Sequence, residues 1–319
     1  FEKTAKEMGY NPFPGPAAIC TEAYTNPYGV ALGVCNYCGF CEKFGCYNYS
    51  KASPQTTIIP ALRQYDNFEL RCKSHVLRVN KESSGKLATG VTYIDENGRE
   101  VEQPASVVIL SAFQLHNVRL LLLSKIGKPY NPETGEGVVG KNYAYQMLGG
   151  AKLFFNEKTW FNHFAATGAS GAYIDNYNSE NFDHAGVGFI GGSTVSAHVT
   201  GGRPIEQTVT PKSAPKWGTG WKKAIRDSYL HNMSIGVSSS VMPYKQCYLD
   251  LDPTYKDGYG LPLLRMTFDW QQNELRMTQF MAGKTENIVK AIGPDAYDMG
   301  FKSLSAHYDV RPYQSTHTT

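Results

Sequence analysis

Val107-Val-Ile-Leu-Ser-Ala-Phe-Gln-Leu-His-Asn-Val-Arg-Leu-Leu-Leu-Leu-Ser-Lys-Ile-Gly127 is the stretch on which the fold class turns. Ser106 to Phe113 is a continuous apolar, β-branched run of the kind that a parallel sheet buries on both faces. From Gln114 to Ser124, Leu115, Val118 and Leu122 recur at helical spacing and lay an apolar stripe along one side. Gly127 stands where a helix end favours a left-handed residue, and Pro129 follows it. A buried strand, a small-residue turn and a helix present backbone N–H groups to a nucleotide.

Upstream, short strands are expected. Between Phe68 and Val79, the residues Leu70, Cys72, Val76 and Val79 are separated by charged ones, which predicts a strand. Gly85 turns the chain into a second strand around Thr89 to Ile94. Asn97-Gly98 tolerates the positive φ of a tight hairpin, and a third strand follows at Glu100 to Gln103. Ser53-Pro54 leads into a short helical stretch from Thr56 to about Tyr65. Downstream, Ala151 to Asn156, Gly186 to Ile190 and Met233 to Val241 read as antiparallel strands, with a loop over Thr194 to Trp221. Leu263 to Asp269 reads as a strand. Asn273 then caps a helix carrying Phe280, Met281, Ile288, Val289 and Ile292, stopped by Gly293-Pro294.

The class this predicts is mixed α/β. An irregular opening segment and cysteine loop occupy 1–55, and the hairpin, buried strand and Leu-rich helix occupy 56–130. An antiparallel sheet with flanking helices follows over 131–272, then a helix and terminal segment over 273–319. Hydrophobic residues at 41% and charged ones at 18% describe a globular protein. A net charge of +3, with no dense basic run among aromatics, argues against a nucleic-acid partner. The apolar stretch Val118 to Leu123 is interrupted by Arg119 and is far too short to span a bilayer.

Cys35, Cys38, Cys41 and Cys46 fall within twelve residues and make up more than half of the chain's seven cysteines. Clustered thiolates are the ligand set of zinc or an iron–sulfur centre, because soft sulfur matches those metals. The C-x2-C-x2-C steps resemble a bacterial ferredoxin run, with a longer last gap and no proline after Cys46. Buried or disulfide-bonded cysteines of a secreted protein are the competing reading. Gly135 to Lys141 approaches the phosphate loop G-x4-G-K-[ST]. Asn142 lacks the hydroxyl needed for magnesium, and the preceding Lys128 to Thr134 is turn-rich, so no triphosphate site is expected there. No G-x-G-x-x-G follows a strand, and neither G-x-S-x-G nor H-E-x-x-H occurs.

The Val107–Gly127 segment resembles the second signature of the glucose–methanol–choline (GMC) oxidoreductases, in which a buried strand, a small-residue turn and a Leu-rich helix end in Ser-Gly-Ile-Gly. Lys125 replaces the first of those glycines here, and Phe113-Gln114 departs from the usual small residues. Gly137-Val-Val-Gly-Lys-Asn142 looks like the family's Gly-Val-Gly-x-Asn-Leu stretch, with Tyr143 in place of Leu. Leu249-Asp-Leu-Asp-Pro-Thr-Tyr-Lys-Asp-Gly-Tyr-Gly-Leu-Pro262 looks like the start of its C-terminal region. The cysteine run followed by Lys51-Ala52-Ser53 resembles the flavoprotein subunits of bacterial gluconate 2-dehydrogenase and related membrane-associated sugar dehydrogenases.

That resemblance implies an FAD-dependent dehydrogenase that oxidises an alcohol group of a sugar or sugar acid. Residues 56–130 would be part of a doubly wound FAD-binding domain, and 131–272 mainly a substrate domain. Val76 matches a family position whose backbone meets the adenine, and Ser111 and Ala112 match the turn near the cofactor; core packing is the competing reading of all three. His317, in Ser315-Thr-His-Thr-Thr319, would be the general base or would hold the substrate hydroxyl. A 3Fe-4S or 4Fe-4S cluster on Cys35, Cys38, Cys41 and Cys46 would pass electrons to a cytochrome c subunit or a quinone, beside a small subunit, at the periplasmic face of the inner membrane. A flavin oxidase with structural cysteines, or a non-catalytic fragment, are the alternatives. The family's opening FAD-binding unit and its final catalytic segment have no counterpart here, so the chain is expected to be a fragment.

Overall fold

A computed structural model describes residues 1–38, 44–163, 171–198 and 209–308, and within them the chain forms two units. The first unit comprises Phe1–Glu69, Met147–Ser240 and Gln272–Ala306. Its frame is a six-stranded antiparallel sheet in the order Phe13–Pro14, Ala172–Tyr177, Ser193–His198, Asn232–Ser239, Met147–Phe154, Ala296–Met299. Side chains alternate across a strand. Met233, Ile235 and Val237 therefore join Ala151, Leu153, Val195 and Ile174 in one buried cluster. The helix Gln272–Ile292 adds Met281, Ile288 and Val289 to it, positions that share one helical face. Gly150 lies at φ 155°, and a Cβ there would stand 2.2 Å from the Ile235 carbonyl oxygen. The pairing of the two central strands admits only glycine at that register.

The long helix ends where its sequence says it should. Gly293 adopts φ 72°, and its N–H donates to the Val289 carbonyl at 3.1 Å. Asn273 is not the cap. It lies within the first turn, where its amide clasps Ile190: the Ile190 N–H donates to Oδ1 (2.9 Å) and Nδ2 donates to the Ile190 carbonyl (3.1 Å). Gly186 to Ile190, expected as a strand, is turn and coil, because Gly186 and Gly188 sit at φ 77° and 73°. Ser193–His198 is a strand inside the stretch expected as a loop, held by ladders on both sides.

The second unit comprises Leu70–Gln146, Val241–Gln271 and the chain from His307. It carries an antiparallel meander, His75–Lys81, Ala88–Ile94 and Glu100–Pro104, and a second hairpin of Tyr248–Lys256 with Pro262–Thr267. The first strand starts at His75 and not at Phe68, since Lys73 at φ 52° breaks the extended path. Asn97-Gly98 forms the expected turn, with Gly98 at φ 78°. Asp95 Oδ1 accepts the N–H groups of Asn97 and Arg99, each at 2.9 Å. Hydrogen bonds from the Arg99 backbone and guanidinium hold the Asp95 carboxyl at about 2.

The helix Gln114–Leu123 forms as expected, with Val118 and Leu122 packed in a cluster with Val139, Tyr143 and Leu249. Ser124 just beyond it accepts the Val79 N–H on its hydroxyl at 2.9 Å and ties helix to meander. The run before the helix departs from expectation. Val107–Leu110 is not a strand, and Val107 and Ile109 are 75% and 82% exposed. Strands exist through ladder bonds to neighbours, and no described strand pairs with this run. The mixed α/β class holds, and the ladders between described strands are antiparallel. Among the described residues, no helix is long and apolar enough to cross a membrane.

Candidate functional site

Val76 and Ala112 line one cavity of about 280 Å3 in the second unit. The helix builds most of its wall: His116, Leu120 and Leu123 follow at steps of four and three residues and share one helical face, and Ala112 adds to the wall from the turn before the helix. The turn before the helix is fixed by Asn117, whose Oδ1 accepts the Ala112 N–H at 2.8 Å. Ser111 lies outside the wall. Phe113, the residue preceding the helix, sits at φ 70° and ψ 150°, a region in which side chains are strained.

The far wall is supplied from a distant part of the chain. Arg119 Nε donates to the Pro262 carbonyl at 2.9 Å, and its Nη2 donates to Asp257 Oδ2 at 2.6 Å. The two side chains are only 12% and 16% exposed. Asp257 Oδ1 in turn accepts the N–H groups of Tyr259 (2.9 Å) and Leu261 (3.0 Å). Burial pushes the Asp257 carboxyl up, but the Arg119 guanidinium and those two N–H groups outweigh it and leave it below the usual carboxylate value. The clasp sets Leu261 against the cavity, and the Tyr259 ring stacks on His75 with 4.8 Å between centroids. An apolar slot edged by His75, His116 and Arg119 suits a flat ring with polar edges. Its volume lies just below the usual range of small-molecule pockets, so it takes a ring system and not a whole dinucleotide.

The cysteine loop belongs to the first unit. Cys35, Cys38 and Cys46 are free thiols of intermediate burial; Cys41 and His317 lie outside the described residues. The Tyr37 N–H donates to Cys35 Sγ at 3.4 Å. Desolvation pushes the Cys46 thiol up, but hydrogen bonds from the backbone N–H groups of Lys51, Asn48 and Ser50, with the Lys51 charge, outweigh it and leave the thiol below its ordinary value. Among the described residues no group of three or more His, Cys, Asp or Glu is gathered so as to hold a metal ion. The expected four-thiolate set is therefore not assembled from the described cysteines. Sequence spacing brings backbones near one another, whereas the convergence of sulfurs is coupled to metal binding.

Several residues of these sites escaped the sequence reading. Cys20 stands beside the loop, its carbonyl accepting the Cys35 N–H at 2.9 Å. His116 was within reach, being in the first turn of the helix that follows Ala112. Arg119 carried a hint as the lone charge in an apolar run. Nothing local marked Asp257 or Tyr259, which act through contacts far along the chain.

Residues 25–148 match the family model described as GMC oxidoreductase. Through residues 25–148 the chain belongs to the GMC oxidoreductase family. The match includes Val76, the turn at Ala112, the wall helix and the cysteine loop, and stops before Asp257. Among GMC and related proteins, the chain is 50% identical over 317 residues to the gluconate 2-dehydrogenase flavoprotein of Pantoea cypripedii, covering 99% of this chain and 52% of that protein. It is 23% identical over 239 residues to the 2-methyl-1,2-propanediol dehydrogenase of Mycolicibacterium austroafricanum, covering 70% of this chain and 40% of that one. A solved structure of Aspergillus oryzae formate oxidase superimposes with a TM-score of 0.44 at 15% identity, over 76% of this chain and 46% of that one. The chain thus spans about half the length of the curated relatives it matches.

Proposed function

We propose that the protein bearing this chain is an FAD-dependent dehydrogenase that oxidises an alcohol group of a sugar acid such as gluconate. The observation that carries this reading is the 50% identity, sustained over 317 residues, to a flavoprotein named for gluconate 2-dehydrogenase. The cavity supports it from the structural side, since Val76 and Ala112 share one slot that takes a ring system. Bound FAD supplies a two-electron hydride acceptor. Within this chain, Val76, Ala112 and the helix face hold the adenosine end, while Arg119 and Asp257 keep the opposite wall in place. His317 takes the proton of the substrate hydroxyl, a role suited to an imidazole that is mostly neutral at physiological pH.

We further propose that Cys35, Cys38, Cys41 and Cys46 hold an iron–sulfur cluster. The thiolate spacing and the N–H groups around Cys46 support it. The proposal extends to a cytochrome c subunit or quinone as acceptor, a small subunit, and a periplasmic site at the inner membrane, all carried by the sequence resemblance. The alternative is an oxidase that passes electrons to oxygen, with the cysteines purely structural.

The test is to purify the full-length protein and measure bound flavin, iron, acid-labile sulfide and gluconate oxidation with an artificial acceptor. Flavin-dependent gluconate oxidation without peroxide formation is expected. His317→Ala should retain flavin while kcat falls by about a hundredfold or more. A flavin-loaded protein that does not oxidise gluconate overturns the substrate reading, and stoichiometric peroxide establishes the oxidase.

A further inference from the structure

Trp160, Trp217 and Trp221 are 58%, 84% and 37% exposed, and of the four tryptophans in the chain only Trp270 is buried. Tryptophan is normally among the most buried residues on average. The three exposed ones belong to a single local assembly of the first unit. Gly218–Ser228 is a helix of 11 residues with none fully buried; Trp217 precedes its first turn and Trp221 lies within it. Beyond its other end, the Phe161 N–H donates to the Leu230 carbonyl at 2.8 Å, and His231 Nδ1 meets the Thr159 carbonyl at 2.6 Å. These bonds seat the Trp160 segment at the end of the helix.

The helix is two-sided. Ala224, Ile225 and Ser228 are partly covered, while Lys222, Lys223 and Arg226 are exposed. Across the helix and the Trp160 segment, five cations (Lys158, Lys216, Lys222, Lys223 and Arg226) face two carboxylates, Glu157 and Asp227. Lys223 and Arg226 both pair with Asp227. Lys216 and Lys222 have no carboxylate partner among the described residues. Exposed indole and positive charge adjoin in Lys216-Trp217, while Trp221 shares the partly covered face of Ala224, Ile225 and Ser228 and leaves only part of its ring exposed beside Lys222. The core of a protein–protein interface is depleted of lysine, its charges being displaced to a rim. A lipid headgroup layer has the opposite preference: it takes the indole body at the acyl boundary and the ammonium groups at the phosphates.

We propose that the Gly218–Ser228 helix, with Trp217 and the Trp160 segment, is a docking surface for an anionic lipid bilayer. The inference deepens the proposed location at the inner membrane, while its observations are those of this surface and not of the cofactor site, so flavin binding and gluconate oxidation stand or fall separately from it. Flotation of the purified protein with vesicles of phosphatidylglycerol and phosphatidylcholine tests it, against phosphatidylcholine alone. Binding to the anionic vesicles is expected, with a blue shift of indole emission and release as salt rises. The pair Trp160→Ala and Trp217→Ala should lower the partition constant by about tenfold with little change in thermal midpoint, since both rings are already exposed. Lys216→Glu with Lys222→Glu should remove the preference for anionic lipid while leaving the fold intact. Failure to float with anionic vesicles overturns the proposal, as does flotation that neither double variant changes.

Discussion

Phe113 occupies φ 70° and ψ 150°, backbone that glycine enters freely and a bulky residue enters at a cost of roughly 1–3 kcal/mol. Its carbonyl accepts the first helical bond, from the Asn117 N–H at 2.8 Å, so the strained angle sets the direction in which the wall helix leaves the turn. The ring is half-exposed and contributes little packing in return. Phe113→Gly should therefore stabilise the protein by about 1 kcal/mol, read as a higher denaturant midpoint at unchanged slope. A destabilised variant would show that the ring makes contacts worth more than the strain. The departure at this position was visible in the sequence, where Phe113-Gln114 stands in place of small residues. What it costs was not, because φ is a property of the folded turn.

The clasp between the wall helix and the second hairpin belongs to the scale of elements. Asp257→Asn keeps an acceptor for the Tyr259 and Leu261 N–H groups but removes the charge opposite a largely buried Arg119, a loss of about 2 kcal/mol. The sign with pH follows from the depressed carboxyl. A lowered folded-state pKa stabilises above the unfolded value of about 3.9, and the contribution disappears as pH falls through the folded value. The thermal midpoints of Asp257→Asn and the parent should differ most near neutral pH and converge in strong acid. A constant gap across that range would mean that packing, and not charge, is lost. Glycines give a second contrast. A Cβ on Gly140, at φ 89°, would lie 2.0 Å from the Leu249 carbonyl oxygen, whereas one on Gly135, at φ 74°, meets nothing within 4 Å. Gly140→Ala should cost about 3 kcal/mol or more and Gly135→Ala about 1, measured by urea unfolding. The near-phosphate-loop pattern over Gly135 to Lys141 thus hides a different demand, the close approach of one backbone to another.

In the whole molecule, each unit is assembled from separated stretches, and backbone protection should map onto the ladders that result. Amides of Met147–Phe154 and Asn232–Ser239, in the middle of the six-stranded sheet, should exchange slowest. Those of Val107–Leu110 should exchange almost as fast as in an unfolded chain, despite their β-branched composition. Slow exchange at Val107–Leu110 would mean that a strand partner covers them in the intact protein. By itself the sequence determined what short-range physics controls: the Asn97-Gly98 turn, the helix Gln114–Leu123, the glycine stop at Gly293 and the family signature around Ala112. Each depends on residues a few positions apart, where dihedral preference and periodicity are decisive. Only the tertiary structure decided which strands pair, that Val107–Leu110 stays outside every described ladder, and that Arg119 reaches Asp257 while Tyr259 covers His75. Those outcomes rest on ladder bonds and buried charge between separated stretches of chain, 138 positions apart for Arg119 and Asp257, and no local pattern carries that energy.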